Sequence, residues 1–176
     1  EAGGVDTHLL SLLKYWPNKE DNFTIIYNIG NKGCLRIKSE LLTLSNVKLV
    51  QYRSYSYSSL ANEFQNTIFS KIIKYVGYII LPITVNIVMR RKLKKILLKL
   101  GDVDVVIANN GGYPAAWDCF SVVMAAKAIG VPKRIMLVHH EATKAGYFHE
   151  MYEHYMDLKM QRSLTDMITV SFATRN

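Results

Sequence analysis

Short runs of apolar, β-branched residues alternate along this chain with segments of helical periodicity. The runs predict strands over 23–27, 47–52, 104–108, 134–138 and 167–170. The segments between them predict helices over 5–16, 58–74, 114–129 and 148–164. Strands that alternate with helices of about a dozen residues are typical of βαβ units. We therefore predict an α/β fold, a Rossmann-like parallel sheet with helices on both faces.

Composition and charge narrow the class of protein further. The 176 residues are 49% hydrophobic and 20% charged, which fits one globular domain over 1–176 rather than a disordered or collagen-like chain. Basic residues exceed acidic ones by 22 to 14, which favours an anionic partner: a phosphate-bearing substrate, a lipid headgroup or nucleic acid. Cys34 and Cys119 lack metal-ligand or redox spacing, which indicates a reducing, cytoplasmic compartment.

The segment from Ile72 to Lys95 begins almost wholly apolar and ends in a basic cluster over 90–95. Its apolar part is shorter than the ~20 residues of a spanning helix and is interrupted by Lys74, Pro82 and Asn86. The pattern predicts either a buried helix followed by a solvated basic face, or a helix that lies on an anionic membrane surface. Nucleic-acid binding is disfavoured because aromatic residues are not interleaved with these cations.

Two glycine-bearing loops are candidates for binding a ligand at the carboxyl ends of the strands, where open parallel sheets hold their ligands. Gly3 and Gly4 precede the first helix, where free backbone amides attract phosphate. A tight turn is the structural alternative. Asn109, Asn110 and Gly111 follow a strand and form either the rim of a pocket or an Asn-capped turn.

Two adjacent histidines, His139 and His140, follow the strand over 134–138. One helix joins the strands over 104–108 and 134–138, so the right-handed crossover rule brings their carboxyl ends to one edge, near Asn109. Successive side chains of an extended segment alternate in direction, so only one of the two histidines can face this site. The other histidines lack zinc-ligand spacing, and no metal site is predicted.

Several segments occur in an order and spacing that match a known family. They are Gly3-Gly4-Val5-Asp6-Thr7-His8-Leu9-Leu10, Asp104-Val-Val-Ile-Ala-Asn109, Ala126-Lys-Ala-Ile-Gly-Val-Pro132, His139-His140-Glu141 and Thr165-Asp-Met-Ile-Thr-Val-Ser-Phe-Ala-Thr174. Together they resemble the N-terminal domain of a family 4 glycosyltransferase, a retaining enzyme of the GT-B fold. The resemblance covers most of the chain.

The resemblance implies transfer of a sugar from a nucleotide-sugar donor to a glycan or lipid-linked acceptor, with no metal or other cofactor. It implies that Gly3 and Gly4 lie near the donor diphosphate. It also implies that His140 lies near the donor sugar, with His139 as the alternative, because the family pattern is a histidine followed by an acidic residue.

The resemblance further implies that residues 1–176 form the acceptor-side domain. On this interpretation the first strand and the C-terminal donor domain are not present, and the segment is inactive alone. Similar proteins act in polysaccharide biosynthesis in the cytoplasm, some as peripheral proteins on the inner face of the cell membrane.

Two other classes of protein remain open. A non-catalytic Rossmann-like module would bind an anionic ligand or a protein partner, and its histidines would not affect turnover. A nucleotide-dependent oxidoreductase is disfavoured, because the strand over 23–27 is followed by Asn28 and not by the acidic residue that binds the ribose of NAD.

Overall fold

The computed structural model describes residues 4–30, 34–54, 68–110, 113, 117–140 and 150–170. Its helices are α1 (Gly4–Lys14), α2 (Cys34–Leu41), α3 (Ile68–Leu100), α4 (Trp117–Ala128) and α5 (Glu150–Gln161). Its strands are β1 (Phe23–Asn28), β2 (Val47–Tyr52), β3 (Val105–Asn110), β4 (Lys133–Val138) and β5 (Asp166–Thr169). The predicted α/β fold with parallel strands is confirmed. The chain divides into two compact units, Glu1–Ser54 and Tyr55–Asn176.

The first unit has a two-stranded parallel sheet. Strands β1 and β2 pair from Phe23 opposite Val47 to Asn28 opposite Tyr52. The side-chain Oδ1 of Asn28 accepts the backbone N–H groups of Gly30 at 3.0 Å and Ser54 at 3.1 Å. This amide therefore links the turn after β1 to the chain after β2.

Helix α2 was not predicted from the sequence. It has eight residues, about two turns, which is too short for periodicity to distinguish a helix from a loop. Leu41 at its end is fully buried, and α2 contacts α1. Tertiary contact rather than local preference explains why this segment is helical.

The second unit has a three-stranded parallel sheet in the order β3-β4-β5. Helix α4 connects β3 to β4 and packs on both strands. The core between helices and sheet consists of Ala108, Phe120, Val123, Met124, Met136, Val138, Met156 and Met160. Gly130, which follows α4, has a φ of 83°, the left-handed conformation that glycine adopts at helix ends.

Helix α3 is longer than either helix predicted for this part of the chain. Residues 68–74 of the predicted helix over 58–74 belong to it, whereas residues 58–67 lie outside the described residues. The helix continues through Pro82 to Leu100. Within the described part of the chain, no helix is long and apolar enough to cross a membrane.

One side of α3 is buried against α4. Met89, Leu93 and Leu97, spaced four residues apart, are at most 2% exposed. The same side carries Asn86, whose Nδ2 donates a hydrogen bond to Ser121 Oγ at 3.0 Å. Both polar side chains are buried, so this bond ties α3 to α4 inside an otherwise apolar interface.

We expect Asn86→Ala to lower the free energy of unfolding by about 1–3 kcal/mol, because the Ser121 hydroxyl then loses a buried partner. Urea denaturation of Asn86→Ala, Ser121→Ala and the double variant measures the interaction energy between the two side chains, for which we expect about 0.5–3 kcal/mol. Lys99→Ala on the exposed side of α3 is the control, with an expected change within about 0.5 kcal/mol. Strictly additive effects would contradict the role of the bond.

Candidate functional site

The carboxyl ends of β3 and β4 lie at one edge of the sheet, as the crossover argument predicted. The two strands pair in register to Asn110 opposite Val138. The backbone N–H of His139 then donates to the carbonyl oxygen of Asn110 at 3.2 Å. This bond extends the pairing by one residue and holds the segment after β4 beside the end of β3.

The His139 ring contacts Asn109, as predicted for one of the two histidines. Its Nε2 lies 2.6 Å from Asn109 Oδ1, and both side chains are half-buried. An amide oxygen accepts hydrogen bonds only, so with this amide orientation Nε2 carries the proton and donates. In a neutral His139 ring, Nδ1 then keeps its lone pair and can accept a hydrogen bond.

His140 has a different environment from its neighbour. Its side chain is exposed, whereas the His139 ring is engaged with Asn109. Exposure at the carboxyl edge makes the His140 ring accessible to a ligand, and the contact with Asn109 restricts the ring of His139. The structure thus separates a held histidine from an accessible one.

Asn109 and Asn110 belong to β3, not to the loop we predicted after it. Both pair with residues of β4, and the backbone hydrogen bonds of this pairing extend the strand beyond its apolar run. Asn110 is fully buried, with its Nδ2 3.9 Å from Met136 Sδ. Its side chain therefore lies in the protein interior, and Asn109 presents the polar group at the edge.

Cys119 connects the first turn of α4 to this edge. Its Sγ lies 3.7 Å from the backbone oxygen of Asn109. Burial and, to a smaller extent, the charge of Asp118 together raise the pKa of the thiol to about 12. A raised thiol pKa lowers the thiolate fraction at neutral pH, which disfavours Cys119 as a nucleophile.

An aromatic cluster lies next to the first turn of α4. The ring centroids of Tyr113 and Trp117 lie 5.1 and 5.5 Å from the ring centroid of Phe120. Trp117 also packs on Tyr152 of α5, with 5.2 Å between the ring centroids. Tyr113 donates its hydroxyl to Asp157 Oδ1 at 2.5 Å, and burial together with Asp157 raises the pKa of this phenol. The cluster holds α5 beside α4.

These aromatic residues were not predicted from the sequence to form a cluster. Tyr113, Trp117 and Phe120 are spaced at i, i+4 and i+7, which is the spacing of one helix face. That spacing is the signal that could have identified the cluster. Trp117 and Phe120 lie on α4, and the ring of Tyr113 packs beside them.

The predicted glycine site is described only in part. Gly4 is the first residue of α1, is exposed, and has open space where a Cβ would stand. Gly3 and Gly111 lie outside the described residues. Gly4 belongs to the first unit, whereas Asn109 and His139 belong to the second.

No group of three or more His, Cys, Asp or Glu side chains that could hold a metal ion occurs among the described residues. The expectation that no metal or cofactor takes part stays a prediction. Comparison of the chain with family models, with curated proteins and with solved structures found no match. The glycosyltransferase resemblance therefore remains an interpretation of the sequence.

Proposed function

We propose that this chain is the acceptor-side domain of a retaining glycosyltransferase, which moves a sugar from a nucleotide-sugar donor to a glycan or lipid-linked acceptor. The observation that carries the proposal is the 2.6 Å contact between His139 Nε2 and Asn109 Oδ1, with His140 exposed beside it. Open parallel sheets bind their ligands at this edge. The proposed glycosyltransferase family rests on the order of the matching sequence segments.

In the proposed mechanism the two histidines have different tasks. The bond to Asn109 holds the ring of His139 and so restricts the backbone after β4. That restriction positions His140, whose exposed ring donates a hydrogen bond to the donor sugar. His140 is thus the catalytic residue of the proposal and His139 is a positioning residue.

The resemblance alone, and no contact among the described residues, assigns the donor diphosphate to Gly3 and Gly4. In α1, Gly4 opens this 11-residue helix, and the dipole at a helix N-terminus favours negative charge. During transfer the bond between the sugar C1 and the diphosphate oxygen breaks, C1 bonds to an acceptor hydroxyl, and the proton of that hydroxyl passes to the departing diphosphate oxygen. Backbone amides that donate to the leaving diphosphate would stabilise the charge that develops on it.

We also propose that the protein works in the cytoplasm, attached to the inner face of the cell membrane, in the synthesis of a polysaccharide. The free thiol of Cys119 fits a reducing compartment. The excess of basic residues, 22 against 14, fits both an anionic donor and an anionic membrane surface.

A panel of nucleotide sugars tests the proposal on the full-length gene product. We expect one donor to be consumed with release of its nucleoside diphosphate, retention of configuration at C1 by NMR, and unchanged turnover in EDTA. A product of inverted configuration would reject the retaining family. Binding of a nucleotide without turnover, whatever acceptor is supplied, would support the non-catalytic module instead.

A further inference from the structure

Helix α3 carries the entire net charge of the chain. Its 33 residues contain eight lysines and arginines and no acidic residue. The rest of the chain holds the other 14 of the 22 basic residues, which balance all 14 acidic ones. The strongest attraction to a negatively charged partner is therefore expected along this one helix.

The side of α3 that faces away from α4 is both apolar and basic. Ile83, Ile87 and Leu98 are 51%, 46% and 58% exposed. Arg91 and Lys95 are exposed as well, and they follow Ile87 at successive steps of four residues. Leu98 follows Lys95 by three residues, and residues three or four apart lie on one helix face, so these five side chains form a continuous exposed strip, which we call the α3 strip.

This mixture fits a lipid bilayer better than other anionic partners. Exposed isoleucine and leucine side chains on a helix can enter the boundary between headgroups and acyl chains, while lysine and arginine reach the phosphates. Binding to single-stranded nucleic acid relies on aromatic side chains that stack on bases, and residues 83–98 contain none. A helix that only needed solvation would not expose three large aliphatic side chains in line.

We propose that the α3 strip docks on the surface of an anionic phospholipid bilayer, with the helix axis parallel to the membrane plane. The opposite side of α3, including Met89 and Leu93, stays packed on α4. The helix then joins the second unit to the bilayer without crossing it. This inference rests on α3 alone and does not depend on sugar transfer.

Vesicle flotation with the full-length gene product tests the docking surface. We expect binding to vesicles of equimolar phosphatidylglycerol and phosphatidylcholine, little binding to phosphatidylcholine alone, and weaker binding at high salt because salt screens the attraction. The double variant Arg91→Gln/Lys95→Gln should reduce the partition coefficient about 30-fold, since each cation near an anionic surface contributes roughly fivefold. Ile87→Ser should weaken the binding that persists at high salt.

The matched control is Lys38→Gln/Lys48→Gln, which removes the same charge from exposed lysines of α2 and β2. This variant should bind vesicles nearly as well as the wild type. An equal loss in both double variants, or no loss in either, would overturn the assignment to the α3 strip. A third outcome would also overturn it: the wild type binds poly(U) but not anionic vesicles, and Arg91→Gln/Lys95→Gln loses the binding to poly(U).

Donor and acceptor are absent from the flotation experiment, so its outcome is independent of turnover. Failure to bind vesicles would contradict the proposed attachment to the membrane and would leave the sugar-transfer proposal standing. Failure of every nucleotide sugar would leave the docking surface standing. Circular dichroism of each variant confirms that the exposed substitutions have not altered the fold.

Discussion

Replacing His140 with alanine in the full-length gene product is expected to lower kcat about 100- to 1000-fold, as loss of a hydrogen-bond donor at a reacting centre does in other enzymes. His140 is exposed at the carboxyl edge, and in the proposed mechanism its ring donates a hydrogen bond to the donor sugar. Steady-state kinetics with the donor found in the nucleotide-sugar panel measure the effect. The control is His154→Ala, which removes an exposed histidine of α5 and should leave kcat unchanged.

His139→Ala should cost less, about tenfold in kcat, because His139 acts only through the position of its neighbour. If the contact with Asn109 carries that effect, then Asn109→Ala should produce a similar loss, and the double variant should be no worse than either single variant. Near-wild-type activity of both His139→Ala and His140→Ala would remove the histidines from the mechanism.

Replacing Phe120 with alanine is expected to lower the free energy of unfolding by about 3–5 kcal/mol, as truncation of other buried phenylalanines does. Phe120 is fully buried at the centre of the core of the second unit. Its ring also packs against Tyr113 and Trp117, and aromatic contacts of this kind add to the effect of burial. Alanine would leave a cavity between α4 and the sheet.

Denaturant unfolding followed by circular dichroism measures the loss in Phe120→Ala. Phe120→Leu is the matched control, because it keeps most of the apolar volume and should cost no more than about 1.5 kcal/mol. A loss below about 1 kcal/mol in Phe120→Ala would show that the aromatic cluster does not stabilise the second unit. A smaller loss in the leucine variant is needed to assign the effect to volume.

The strands were predictable because their signal is local. Runs of β-branched, apolar residues between turns predicted all five strands of the described residues, and β2 has the predicted bounds of Val47–Tyr52. The placement of one of the two histidines near Asn109 followed from two steps: the run over 134–138 ends just before the histidines, and a single crossover helix brings parallel strand ends to one edge. Both steps use the chain order and known rules of sheet topology.

Other features depend on contacts between residues far apart in sequence. Pro82 predicted an interruption because proline removes a helical hydrogen bond, yet α3 runs through it. The packing of Leu93 and Leu97 on α4 contributes favourably to the free energy of folding, and this contribution cannot be predicted from the local sequence. The backbone pairing of Asn110 with β4 likewise extended β3 into a segment whose polar residues indicated a loop.

The sequence by itself determined the α/β class, the parallel strands and the edge at which the histidines lie. These features follow from the alternation of strands with helices and from their order along the chain, both of which can be predicted from the sequence. Only the tertiary structure decided that His139 is held by Asn109 while His140 is exposed. Only the structure also showed which side of α3 is covered by α4. Burial and side-chain direction depend on the neighbours that folding brings together, and adjacent, identical residues carry no local signal to distinguish them.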